Sequence, residues 1–289
     1  MTSVLTLLFR LGRHLPLWCL HGLGSALGWV SFVLSPRYRR RLLAHAAQAG
    51  YGRSVALASV GQAGRLVAEL PRLWLGRPVP VRWDGEQHIE AALRDGVGLL
   101  FLTPHLGCFE ITAQAYAARF GARRPMTVLF RPPRLAALRD LVVQARQRPG
   151  LQTAPVSLAG VRQLMRALKA GEAVGLLPDQ VPPQGQGVWA PFFGRPAYTM
   201  TLSTRLAQAG GCRILLSWGE RLPAGRGYVV HVRPLAEALP DEPDAAAAVV
   251  NRAMESLVRE SPAQYLWSYD RYKQPRQPES PDSGAKPQR

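Results

Sequence analysis

A histidine and a glutamate stand five positions apart in the segment Thr103-Pro104-His105-Leu106-Gly107-Cys108-Phe109-Glu110. A carboxylate that fixes the tautomer of an imidazole, and stabilises the imidazolium once a proton is taken, turns histidine into a general base for a hydroxyl. The residues before this pair are continuously apolar over 98–102, the pattern of a strand buried on both faces. His105 is therefore expected on the loop at the strand's carboxyl end. Reactive groups of α/β proteins collect there, and helix N-termini supply positive potential. Gly107 lets the turn bend, so that Glu110, on the first turn of the next helix, is expected to reach and orient the imidazole. No metal is expected: Cys19, Cys108 and Cys212 are far apart, and none of His45, His88 or His231 has a ligand partner at suitable spacing. A serine hydrolase is excluded by the absence of G-x-S-x-G. The nearest segment, Gly52-Arg53-Ser54-Val55-Ala56, fails at its last position.

The elements that position this pair follow from periodicity. Apolar residues recur at three- and four-residue steps over 39–74, which predicts helix. Beyond that, strands are predicted at 79–83, 98–102, 126–130, 151–156, 173–177, 213–218 and 228–232. Helices are predicted at 86–94, 109–119, 135–146, 161–169, 201–208 and 244–259. Strand and helix in turn predict an α/β fold: a mixed, mainly parallel sheet covered by helices on both faces. Residues 274–289 are Pro, Ser, Gln and charge, and too few of them are apolar to fold. The expected organisation is a membrane-associating segment at 1–41, one catalytic domain at 42–273 and a disordered tail.

The charge is lopsided. The chain of 289 residues has a formal net charge of +17, carried almost wholly by Arg, which implies an anionic partner. Residues 1–68 contain no Asp or Glu, and within them 14–36 carry no formally charged side chain apart from His14 and His21. About 20 apolar residues span a bilayer as a helix. Trp18, Trp29 and Tyr38 suit an interface, and Arg37, Arg39, Arg40 and Arg41 outweigh Arg10 and Arg13 as a positive flank. Pro16, His14, His21 and four glycines fit a helix lying in the interface nearly as well. A nucleic-acid-binding protein would share the charge but not this apolar segment.

Several ordered segments resemble one family. The H-x4-E pair is joined by Phe130-Arg131-Pro132 after a strand, Arg146-Gln147-Arg148, and Leu177-Pro178-Asp179-Gln180 after another strand. Pro191-Phe192-Phe193-Gly194 and Gln264-Tyr265-Leu266-Trp267 follow, with a basic close at Arg271-Tyr272-Lys273. Together they resemble the late, lauroyl/myristoyl acyltransferases of lipid A biosynthesis, over roughly residues 1–275. Tyr269-Asp270-Arg271-Tyr272 stands where that family often has His-Arg-Arg-Phe.

The resemblance implies transfer of a fatty acyl group from a thioester to a hydroxyl of a glycolipid, with no cofactor. The thioester is carried by acyl carrier protein or by coenzyme A. It implies His105 as base and Glu110 as its orienting partner, with Arg146 as donor to the oxyanion or as the group that holds the acceptor's phosphate, and Arg131 as a second candidate donor. Arg131, Arg148 and Asp179 are implied as substrate-binding residues. The implied partners are acyl-acyl carrier protein, a glycolipid acceptor and a membrane, with no nucleic acid. The implied place is the bacterial inner membrane, with the catalytic part on its cytoplasmic side. A lysophospholipid, ornithine lipid or mannosylated lipid remains an alternative acceptor.

Overall fold

A computed structural model describes residues 4–130 and 148–277. The predicted helix over 135–146 lies outside the described residues. Seven strands form the main sheet: β1 (Val81–Asp84), β2 (Leu99–Leu102), β3 (Met126–Phe130), β4 (Leu151–Pro155), β5 (Ala173–Leu176), β8 (Arg213–Arg221) and β9 (Tyr228–Pro234). Their order is β1-β9-β8-β2-β5-β3-β4. Every neighbouring pair is parallel except β8 with β9. A separate antiparallel hairpin, β6 (Gly187–Phe192) and β7 (Arg195–Met200), was not legible in the periodicity.

The continuous apolar run of β2 has a simple cause. Leu100 and Leu102 pack into the core on one face, and Leu99 and Phe101 into the core on the other. All four side chains are buried, each contributing about 1.5–3 kcal/mol of hydrophobic stabilisation. The first core is completed by α3 (Pro36–Gln48), α4 (Arg53–Ala68), α8 (Leu158–Lys169), α9 (Leu202–Gly210) and α10 (Pro243–Glu260). The second is completed by α6 (Glu86–Asp95) and α7 (Phe109–Phe120).

The predicted helical stretch 39–74 is broken into α3, α4 and α5 (Leu70–Leu75). Gly50, at φ +85°, lies between the first two, and Pro71 stands in the first turn of the third. Before them come α1 (Val4–Gly12) and α2 (Leu17–Leu34). Pro16 sits at the N-cap of α2, where a missing N–H costs nothing. The glycines of α2 form a seam: a Cβ on Gly24 would lie 2.7 Å from the carbonyl oxygen of Gly64, so α2 and α4 touch backbone to backbone. The rest of α2 is exposed and apolar, with Trp18 at 64 % and Val33 at 64 % accessible. Among the described residues α2 is the one helix long and apolar enough to cross a membrane.

Candidate active site

β2 and β5 are adjacent parallel strands, so the loops leaving their carboxyl ends meet. His105 lies on the first and Asp179 on the second. The Asp179 carboxylate accepts from the His105 backbone N–H at 2.8 Å and faces the ring Nδ1 at 2.7 Å. An ionised carboxylate only accepts, so Nδ1 carries the proton. That leaves the lone pair on Nε2, where the Gln180 amide donates at 2.9 Å. This is the tautomer a general base requires. Burial alone would raise the Asp179 carboxyl, but its bonds to the imidazole and the backbone N–H prevail and hold it below the usual carboxylate range.

The expected pairing with Glu110 is therefore corrected. Both ring nitrogens of His105 are engaged, by Asp179 and by Gln180. Glu110 is in the first turn of α7 and accepts from the Trp74 indole at 3.2 Å. The physical reason lies in the sheet, since strand adjacency brings Asp179 to the imidazole across 74 residues. Asp179, expected to bind the acceptor head group or support Arg146, is hydrogen-bonded to the imidazole. Arg148 donates to the carbonyls of Leu73 and Trp74, bracing the end of α5. Arg131 and Arg146 lie outside the described residues.

The His105 loop is held from both sides. Leu266 N–H donates to the His105 carbonyl, Gly107 N–H to that of Gln264, and Cys108 N–H to that of Gly219. Gly107 has φ +59°, the left-handed region open to glycine, so the expected turn is present. The Arg221 guanidinium donates to the Gly107 carbonyl at 3.1 Å, and with two of its nitrogens to Glu69 at 2.6 and 2.8 Å. His21 of α2 and the Tyr228 hydroxyl also meet Glu69, at 3.0 and 2.9 Å. This cluster was missed from sequence, although Glu69 is the first acidic residue of the chain. Cys108 beside it is fully buried, and burial pushes its thiol well above the ordinary value. It stays protonated and is no nucleophile.

One cavity of about 690 Å³ passes the site. His105, Glu110, Thr103, Ser217 and Gln180 line it. So do apolar side chains between α7 and the sheet, among them Phe101, Tyr116, Met126, Val128 and Val230. A base-ready histidine thus stands beside an apolar cavity, the pairing that a long hydrocarbon substrate with one reacting polar centre requires.

Known proteins agree with that chemistry. The lipid A biosynthesis palmitoleoyltransferase of Escherichia coli K12 is 27 % identical over 215 residues, 73 % of this chain and 68 % of the relative. The lipid A biosynthesis lauroyltransferase of the same organism is 27 % identical over 220 residues, 74 % and 69 % of the two chains. A lipid A biosynthesis acyltransferase of Haemophilus influenzae is 27 % identical over 184 residues, 63 % and 56 % of the two. The model of the bacterial lipid A biosynthesis acyltransferase family matches residues 53–274, so the chain belongs to that family and is an acyltransferase.

Proposed function

We propose that this enzyme moves a fatty acyl group from the thioester of acyl carrier protein to a hydroxyl of a lipid A precursor, at the cytoplasmic face of a bacterial inner membrane. The observation that carries the reading is the line Asp179–His105–Gln180 beside the apolar cavity. The acceptor hydroxyl takes the place of the Gln180 amide at Nε2 and gives its proton to that nitrogen. The alkoxide oxygen attacks the thioester carbonyl, and the C–O bond forms as the carbonyl becomes an oxyanion. Collapse breaks the C–S bond and expels the thiolate, which takes the proton back from the imidazolium. Asp179 stabilises the imidazolium between the two transfers. Arg146 is assigned as donor to the oxyanion, and Glu110, Arg131 and Arg148 to the acceptor's polar head.

Membrane seating completes the proposal. One face of α2 (Leu20, His21, Gly24, Gly28) is turned into the protein. Trp18, Leu23, Leu27, Val30 and Val33 are exposed, and so are Leu7, Leu8 and Leu11 on α1. Arg65 donates to Ser25 of α2, and Glu69 meets its His21, so a spanning α2 would drag charged groups to membrane depth. The two helices therefore lie in the interface, apolar face down.

The test is transfer by purified protein from dodecanoyl-acyl carrier protein to a lipid A precursor in vesicles, with products read by mass spectrometry. One added acyl ester on the precursor is expected. Transfer only to a lysophospholipid would overturn the acceptor, and transfer to no lipid would overturn the reading. Flotation with vesicles checks the seating: Leu27→Glu with Val33→Glu should leave the lipid fraction, and a variant that still floats sinks the interfacial helix.

A further inference from the structure

We infer that the outer faces of α8 and α9, just beyond the cavity mouth, are the docking surface for an acidic protein that delivers the acyl thioester. The inference deepens the proposed function and rests on it. The mouth is marked by side chains that line the cavity and also reach solvent: Leu158 at the start of α8, 79 % exposed, and Arg205 on α9. One helical turn past Leu158 stands Arg162, and one turn further Arg166, both exposed. Neither helix contains an Asp or Glu.

The patch joins unpaired arginines to the cavity mouth. Several arginines elsewhere on the sheet's flanks are paired: Arg119 with Glu86, Arg123 with Glu90, Arg213 with Asp95, Arg233 with Glu260 and Arg252 with Glu237. Among the described residues, Arg162, Arg166 and Arg205 meet no carboxylate. An unneutralised cationic face beside a substrate mouth raises the local concentration of an anionic partner and steers its approach. The partner is a protein rather than a bilayer. A lipid surface takes a broad apolar face, which α1 and α2 present. Here, among the described residues, the exposed large apolar groups are Leu158 and Val156 at the rim. An acidic helix set on this face would place a flexible thioester arm at the opening, with the acyl chain directed toward His105.

The experiment compares two donors on wild type and on the double variant Arg162→Glu/Arg166→Glu, with melting temperatures matched. With dodecanoyl-acyl carrier protein the variant should show a KM raised roughly tenfold or more, and the wild-type KM should climb with salt while that of the variant does not. With the uncharged dodecanoyl-pantetheine both proteins should give the same constants. Direct binding of fluorescently labelled acyl carrier protein should weaken in parallel, which judges the surface without catalysis. An unchanged KM and unchanged binding in the variant would overturn the inference. So would a loss of binding to anionic phosphatidylglycerol vesicles with donor constants intact, since the patch would then be a membrane contact. Wild type that binds the carrier yet transfers to no lipid would sink the proposed function and leave the docking surface standing.

Discussion

Glu69 and Asp179 are both carboxylates shut away from water, at 0 % and 1 % exposure, and each is kept ionised by a different arrangement. For Glu69, burial opposes ionisation, but the Arg221 guanidinium prevails and takes its pKa to about 2. Its partners, Arg221, His21 and Tyr228, all belong to the body of the protein and close around it. Asp179 instead holds the His105 imidazole, neutral at rest, and that ring's far nitrogen faces a cavity. A buried charge closed on every side fixes geometry. A buried charge whose partner looks onto open space can pass its influence to a substrate.

The sharpest test of this contrast is His105→Ala, which should cut kcat by roughly a hundredfold or more with little change in melting temperature. A folded variant with near-normal transfer would remove the base from the mechanism. Asp179→Asn keeps shape and loses charge, so the imidazolium goes unsupported. A loss of kcat on the order of a hundredfold is expected, with a smaller effect on KM for either substrate. If the loss appears only in KM for the acceptor, Asp179 binds substrate, and its bond to His105 is incidental to turnover.

Glu69→Gln should behave in the opposite way. Breaking a buried pair costs about 3–5 kcal/mol, a fall in melting temperature on the order of 10 °C, while kcat of the folded fraction stays within a few-fold. Acid titration sharpens the point. The folded pKa of Glu69 lies below the ordinary 4.5, so on acidification the unfolded chain binds the proton first. Its contribution is complete at neutral pH and is lost as pH falls from about 4.5 toward 2. Chemical denaturation across that window should show a shallower loss for Glu69→Gln than for wild type. Equal slopes would mean that Glu69 is not the group that titrates. The smallest effect is expected of Gln180→Ala, which removes one neutral hydrogen bond worth about 1 kcal/mol, roughly a fivefold change. It should fall mainly on KM for the acceptor, because Gln180 occupies the nitrogen where the hydroxyl arrives. A hundredfold loss of kcat would place Gln180 in the chemistry.

The strands and the loop turn were legible because their causes are local. Leu99 to Leu102 read as a doubly buried strand because both faces are covered, and Gly107 marked the turn because glycine takes its positive φ most readily. His105 could be placed for the same reason. Its partner could not. Glu110 is near His105 along the chain, whereas Asp179 is brought in by the order β2-β5, which no spacing encodes. The hairpin β6–β7 was hidden because Pro191 and Pro196 sit opposite one another in it and obscure any alternation. The Glu69 cluster escaped because its members, His21, Glu69, Arg221 and Tyr228, are far apart along the chain and no spacing joins them.

On the proposed membrane seating, the backbone contact between α2 and α4 bears on which acceptor hydroxyl would be acylated. Gly24 and Gly64 leave no side-chain cushion between the two helices, so they move as one body, and α4 is continued by α5, whose Trp74 holds Glu110. On the proposed seating the interfacial helix is then a rigid foot rather than a tether, and it sets the height of His105 above the lipid. A glycolipid offers hydroxyls at several depths, and a foot of fixed height admits one layer of them. On that proposal, selection among chemically similar acceptor oxygens would be made in part by altitude, before any contact with the sugar is formed.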